Sequence, residues 1–240
     1  KVKALAASMR RRWTYKKKAA DATLRQAAEL FLAVSAKVRE RGYEAVSLCD
    51  VDGVKKLMKF PPAPVFMLLD EEAGVCTIPE NDTLGAVTQL MTRYLTGQSA
   101  AYFEFYEFLR NGMLMGVPDY VPSEVVAGPV TVMPTAFGQL SEGLLNVSRV
   151  KTGAVTLCRL AYGGGRYRLH LAAGRARKPR KWEEAGWAPP APQLPSLEIV
   201  LNAPVEPFIQ NVCGQHYILS YGDNRGLFHN LCRLLDVEVI

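Results

Sequence analysis

The apolar rhythm of the chain changes near residue 98, and that change limits the folds open to it. Upstream, apolar residues recur at helical spacing and alternate with short continuous apolar runs. Between residues 21 and 42, Leu24, Ala28, Phe31, Val34 and Val38 share one helical face, Asp21 can cap the start and Gly42 can end it. A strand is predicted at 45–49, a helix at 63–72, a second strand at 75–78 and a helix at 84–95. The last of these is opened by Asp82 or Thr83 and closed near Gly97. This order predicts a parallel α/β layer, the tail of a doubly wound domain, over residues 1–97. Downstream, residues 101–109 are expected to be helical. Short strand-like runs follow at 130–133, 154–161, 166–172, 197–201 and 216–221, separated by Gly and Pro. Gly163-Gly164-Gly165 predicts a hairpin turn. Residues 175–195, rich in Pro and charge, predict a long loop, and the chain is expected to close with a helix at 227–235 and a strand at 237–240. Residues 98–240 therefore read as a mostly antiparallel, barrel-like C-terminal domain.

Composition removes several classes of function. The net charge is +6, but it is concentrated at Arg10-Arg11-Arg12 with Lys16-Lys17-Lys18 and at residues 175–181. Neither run has interleaved aromatics to stack bases, so solvated segments are expected and a nucleic-acid partner is not. The five cysteines are odd in number, contain no CxxC and lie mostly in apolar runs, as buried reduced thiols of a cytoplasmic protein would. No window approaches the ~18 apolar residues of a membrane span. There is no GxSxG elbow and no P-loop.

The remaining chemistry rests on carboxylates and histidines. Glu80 follows the predicted strand at 75–78, at the carboxyl end where ligands of open α/β sheets sit. Glu104 lies in Tyr102-Phe103-Glu104-Phe105-Tyr106-Glu107-Phe108. A carboxylate bracketed by aromatics needs a cation, metal or hydrogen-bond partner. Glu107, one helical turn on, is expected to face solvent. Among the three histidines, His216 starts a predicted strand, His170 lies inside another and His229 lies on the last helix. Taken singly, each residue has an ordinary structural reading as a loop charge, a cap neighbour or a core histidine.

Four segments, in order, resemble the L-fucose and L-arabinose isomerase family. Pro79-Glu80-Asn81-Asp82-Thr83-Leu84 is similar to that family's Glu-Asn-Asp segment before a helix, and Phe103-Glu104 stands where a second carboxylate follows it. Gly153-Ala154-Val155-Thr156-Leu157 is similar to its Gly-x-Val-Thr strand. Gln215-His216-Tyr217, with Tyr221-Gly222-Asp223 and residues 231–240, looks like its closing segment. The second carboxylate is Glu, nearer the arabinose enzymes than the fucose enzymes.

The resemblance implies one divalent metal of the Mn²⁺ type, bound by Glu80, Glu104 and His216. It implies proton transfer by Glu80 and Glu104, with Gln215 contacting substrate. The implied reaction is aldose–ketose isomerisation of a pentose or 6-deoxyhexose through an enediol. The alternatives are a sugar-binding or regulatory relative without turnover, which need not keep both carboxylates, and another metal-dependent sugar enzyme, an epimerase or lyase, on the same scaffold. The chain starts at Lys1, and two strands alone make a poor parallel layer. The polypeptide is therefore expected to continue upstream and to form a homo-oligomer whose subunits share the site.

Overall fold

In this computed structural model, residues 1–117, 119–135, 143–186 and 193–240 are described. In chain order the regular elements begin with α1 (Val2–Arg12), β1 (Thr14–Tyr15), α2 (Asp21–Arg41), β2 (Ala45–Ser47) and a π-helical turn, Asp50–Lys55. Next come α3 (Lys56–Met58), α4 (Ala63–Ala73), β3 (Cys76–Ile78), α5 (Thr83–Thr96), β4 (Ala101–Leu109) and β5 (Gly112–Gly116). The remainder is β6 (Thr131–Met133), β7 (Leu145–Asn146), β8 (Gly153–Gly163), β9 (Arg166–Arg177), β10 (Ser196–Leu201), α6 (Val205–Gln210), β11 (Tyr217–Tyr221), α7 (Arg225–Leu235) and β12 (Glu238–Val239). Two compact units result: residues 1–82 with 118–149, and residues 83–117 with 150–240. The division expected at 97/98 follows chain order. In the structure α5 groups with the strands that come after it.

In the first unit, β2 and β3 pair in parallel, with Ala45 opposite Cys76 and Ser47 opposite Ile78. A second small sheet has β1 parallel to β6 and β6 antiparallel to β7. Helix α2 buries Leu24, Ala27, Ala28, Phe31 and Val38, the face that the helical spacing predicts. It ends at Gly42, whose φ of 65° suits a residue without Cβ. Residues 63–69 of α4 are all buried, so this helix is enclosed on every side. The basic run on α1 is exposed at Arg11 and Arg12, as expected, and makes ion pairs with neighbouring carboxylates: Arg10 with Asp21, and Arg12 with Glu71 and Glu72.

The second unit is a closed six-stranded antiparallel barrel in the order β10-β5-β4-β11-β8-β9, with β9 returning to β10. Strand β9 is long enough to hold two neighbours on one edge: β12 in parallel at Arg168 and Leu169, and β10 from Gly174 to Arg177. Helix α5 covers β8. Thr88 Oγ accepts the Leu160 amide at 3.0 Å, and Thr92 Oγ meets Cys158 Sγ at 3.5 Å. The chain thus combines helical layers with an antiparallel barrel, the broad class expected.

Two expectations are corrected. Residues 101–109 form a strand, not a helix. Tyr and Phe favour pleated, half-buried surfaces, and Asn111-Gly112 next to them is a hairpin signal that the aromatic run obscured. Strand β9 also continues to Arg177, into the stretch expected to be loop. Glu198 on β10 holds that end: it lies opposite Arg177 and accepts from Arg180 Nε at 2.9 Å and Trp182 Nε1 at 3.2 Å.

Barrel closure depends on two glycines that flank β10. A Cβ on Gly112 would lie 1.9 Å from the Ile199 carbonyl oxygen, and one on Gly174 would lie 2.4 Å from that of Val200. Both obstacles are backbone, so neither can rotate away. Gly112→Ala and Gly174→Ala are each expected to destabilise the protein by about 1–3 kcal/mol. Urea unfolding against wild type measures this, and an unchanged midpoint would show that β10 is not held between them.

Candidate functional site

Strand pairing brings two of the three expected ligands together. Tyr217 on β11 lies opposite Phe103 on β4, and Ile218 opposite Tyr102. Continuing this antiparallel register by one residue sets His216 across from Glu104. His216 Nε2 lies 3.6 Å from Glu104 Oε1, with the histidine side chain 2% exposed and the carboxylate 16% exposed. The His216 ring also meets the Tyr102 ring edge-on at 5.1 Å. Its carbonyl accepts from Nη1 of the buried Arg159 at 3.2 Å. Arg159 itself packs on Gly214, where any Cβ would come within 2.5 Å of its Nε. Backbone and ring of His216 are therefore both held.

Beside Glu104 the ladder is irregular. Glu104 pairs with Gly116 and Phe105 with Met115, but Glu107 pairs with Leu114, so Tyr106 is the extra residue of a β-bulge. The Tyr106 ring occupies the space over Gly116, where a Cβ would lie 2.2 Å from Cε2. The bulge thus lays a phenol next to the residue opposite Glu104, and Tyr106 is a candidate that sequence reasoning missed. Glu107 is exposed, as expected.

Glu80 belongs to the first unit. It follows β3 at the carboxyl end of the parallel pair, where sequence placed it. Its φ is 63° and that of Asn81 is 56°. Asn tolerates this left-handed conformation, whereas Glu rarely adopts it, at a cost on the order of 1–3 kcal/mol. Such strain persists only where the surroundings impose it. The end of β2 and the loop after it do so. Leu48 O accepts from the Asn81 amide at 3.2 Å, Asp50 Oδ1 accepts from the Glu80 amide at 2.9 Å, and Ser47 Oγ donates to Pro79 O at 3.3 Å. Gln215 is exposed beside His216.

The other histidines stand apart from this pair. His229 is exposed on α7. His170, on β9, is buried opposite Arg159, packs on Phe208 at 4.5 Å and bonds through Nδ1 to the Tyr217 hydroxyl at 2.5 Å. Tyr217 follows His216 directly, and alternation along a strand sends the two side chains to opposite faces. Burial pulls the His170 imidazole down to about 4.

A pair of one carboxylate and one imidazole is a donor set that a borderline divalent ion accepts. Among the described residues no group of three His, Cys, Asp or Glu side chains is placed to hold a metal ion. Among the same residues no helix is long and apolar enough to cross a membrane. The chain matches no protein-family model and no curated protein.

The depressed His170 has a measurable consequence. The folded state prefers the neutral ring, so His170 contributes its full stability above the ordinary histidine pKa of ~6.5. That contribution is lost as pH falls from there toward about 4, because the unfolded chain then binds the extra proton. Wild type should lose up to ~1.4 kcal/mol per pH unit more than His170→Gln over this window. Urea unfolding of both proteins at several pH values between 7.5 and 4.5 tests it. Parallel curves would remove His170 as the cause.

Proposed function

We propose that this protein is a metal-dependent aldose–ketose isomerase acting on a pentose or 6-deoxyhexose. The observation that carries the reading is the cross-strand pair of Glu104 and His216, two residues far apart in sequence that the family resemblance names independently as ligands. Glu80 is the third proposed ligand. Its assignment rests on the Pro-Glu-Asn-Asp match and on its left-handed backbone, not on a distance to the other two. Mn²⁺, or a similar ion, suits two carboxylates and one imidazole. In the same reading the first unit is the tail of a doubly wound domain, and the protein works in the cytoplasm as a homo-oligomer with a shared site.

The chemistry assigns work to each residue. Interconversion of aldose and ketose moves one proton between C1 and C2, while a hydroxyl proton passes from one sugar oxygen to its neighbour. A bound divalent ion supplies positive charge against the negative charge that develops on those oxygens. Glu104 or Glu80 takes the carbon-bound proton and returns it to the adjacent carbon, a role typically worth ~10²–10⁴-fold in rate. His216, fixed through its carbonyl by Arg159 and through its ring by Tyr102, keeps its imidazole aimed at Glu104. Gln215, exposed beside it, is the proposed sugar contact.

The test is ketose formation from a panel of aldoses with Mn²⁺. Glu104→Gln preserves volume and removes both the charge and the proton acceptor. Turnover should fall by at least ~10²-fold, with the melting temperature nearly unchanged. Retention of most activity in this variant would remove Glu104 from the mechanism. If no aldose in the panel gives ketose, the isomerase reading fails.

A further inference from the structure

Outside the residues already assigned, one buried carboxylate has both oxygens committed. Asp50 opens the π-helical turn Asp50–Lys55 and is 2% exposed. Its Oδ1 accepts from the Glu80 amide at 2.9 Å, and its Oδ2 faces Lys55 Nζ at 3.2 Å. The π-helical turn places the lysine five residues on over the aspartate that begins it, so the buried charge is neutralised within one turn. π-Helical segments are rare and are commonly associated with functional sites. This one points its first side chain at the backbone of the strained residue in the proposed site.

We infer that Asp50 is a positioning residue. With Lys55 as counter-charge, it holds Glu80 in its left-handed conformation and so sets the direction of the Glu80 carboxylate. The reason lies in the alternatives open to the turn. Without an acceptor at Asp50, the Glu80 amide loses the bond that opposes relaxation of φ to negative values. A change of that sign at one residue would swing the Glu80 side chain to another direction. Leu48 O and Ser47 Oγ hold the residues on either side, Asn81 and Pro79. Asp50 is the member of this clasp that accepts from the Glu80 amide itself. It has no part in proton transfer and acts only through Glu80.

The inference rests on the proposed function only where metal binding is the readout, so two measurements are paired. The first is amide exchange at Glu80 in the metal-free protein. Exchange should be at least about tenfold faster in Asp50→Ala than in wild type, and slower again in Asp50→Asn, which keeps an oxygen acceptor. Should Asp50→Ala not fold, Asp50→Glu keeps the charge facing Lys55, moves the acceptor and reads the same quantity. An unchanged Glu80 exchange rate overturns the inference. The second is Mn²⁺ affinity by calorimetry, for which loss of a supporting residue typically costs ~10–100-fold. Asp50→Ala should weaken binding by that factor in wild type and add nothing in a Glu80→Gln background. Equal weakening in both backgrounds would mean a general structural role and overturn the inference. Wild-type protein that binds no Mn²⁺, while its Glu80 amide still depends on Asp50, would refute the metal reading and leave the positioning role standing.

Discussion

The register between β4 and β11 is the constraint on which the candidate site depends. Side chains alternate along a strand, so a slip of one residue would send Glu104 and His216 to opposite faces. Closure resists such a slip. Each barrel strand has a partner on both edges, and moving one would break two ladders at once. The two glycines flanking β10 serve the same end, since their missing side chains let the last gap close. A histidine and a carboxylate more than a hundred residues apart are held as neighbours by the backbone hydrogen bonds of the whole barrel.

The barrel also holds buried polar side chains through local hydrogen bonds. Arg159 is buried, and its guanidinium reaches the His216 carbonyl. His170 is buried and neutral, with Nδ1 on the Tyr217 hydroxyl, which in turn accepts from the Cys213 amide at 3.2 Å. Burial raises Tyr217 well above the ordinary tyrosine range, so its hydroxyl keeps its proton. One polar chain therefore runs from β9 through β11 to the segment before His216. An unpaired polar group in the same place would cost several kcal/mol. This network makes the region around His216 rigid, which suits a residue whose proposed work is to hold a direction.

In each unit one backbone irregularity lies next to a candidate residue. Tyr106 bulges out of β4 two residues after Glu104, and Glu80 and Asn81 adopt left-handed conformations at the end of β3. Bulges and left-handed non-glycine residues both cost free energy and tend to mark places where a side chain is deliberately aimed. Asp50 with Lys55 supplies the counterweight for Glu80. None of these features has a sequence signature. A bulge is a property of two paired strands, and a carboxylate thirty residues away in sequence becomes a cap only when two parallel strands bring their ends together.

The sequence by itself determined the elements with a strong period or a clear stop. Helix α2 with its glycine end, helix α5 between Asp82 and Gly97, the parallel pair β2 and β3, and the β8–β9 hairpin at its three glycines were all legible. So was the broad change from helical layers to an antiparallel barrel. Residues 101–109 were not. An aromatic run with glutamates three apart fits a helix about as well as a bulged strand, and the choice was made by β5 and β11 on either side. Glu104 and His216 could be singled out as residue types, but their meeting could not be read from a chain whose register had yet to form. Tyr106 and Asp50 were invisible for the same reason. Periodicity is local and survives in the sequence. Proximity between distant residues depends on closure of the barrel and on the ends of the parallel pair, which only the tertiary structure decided.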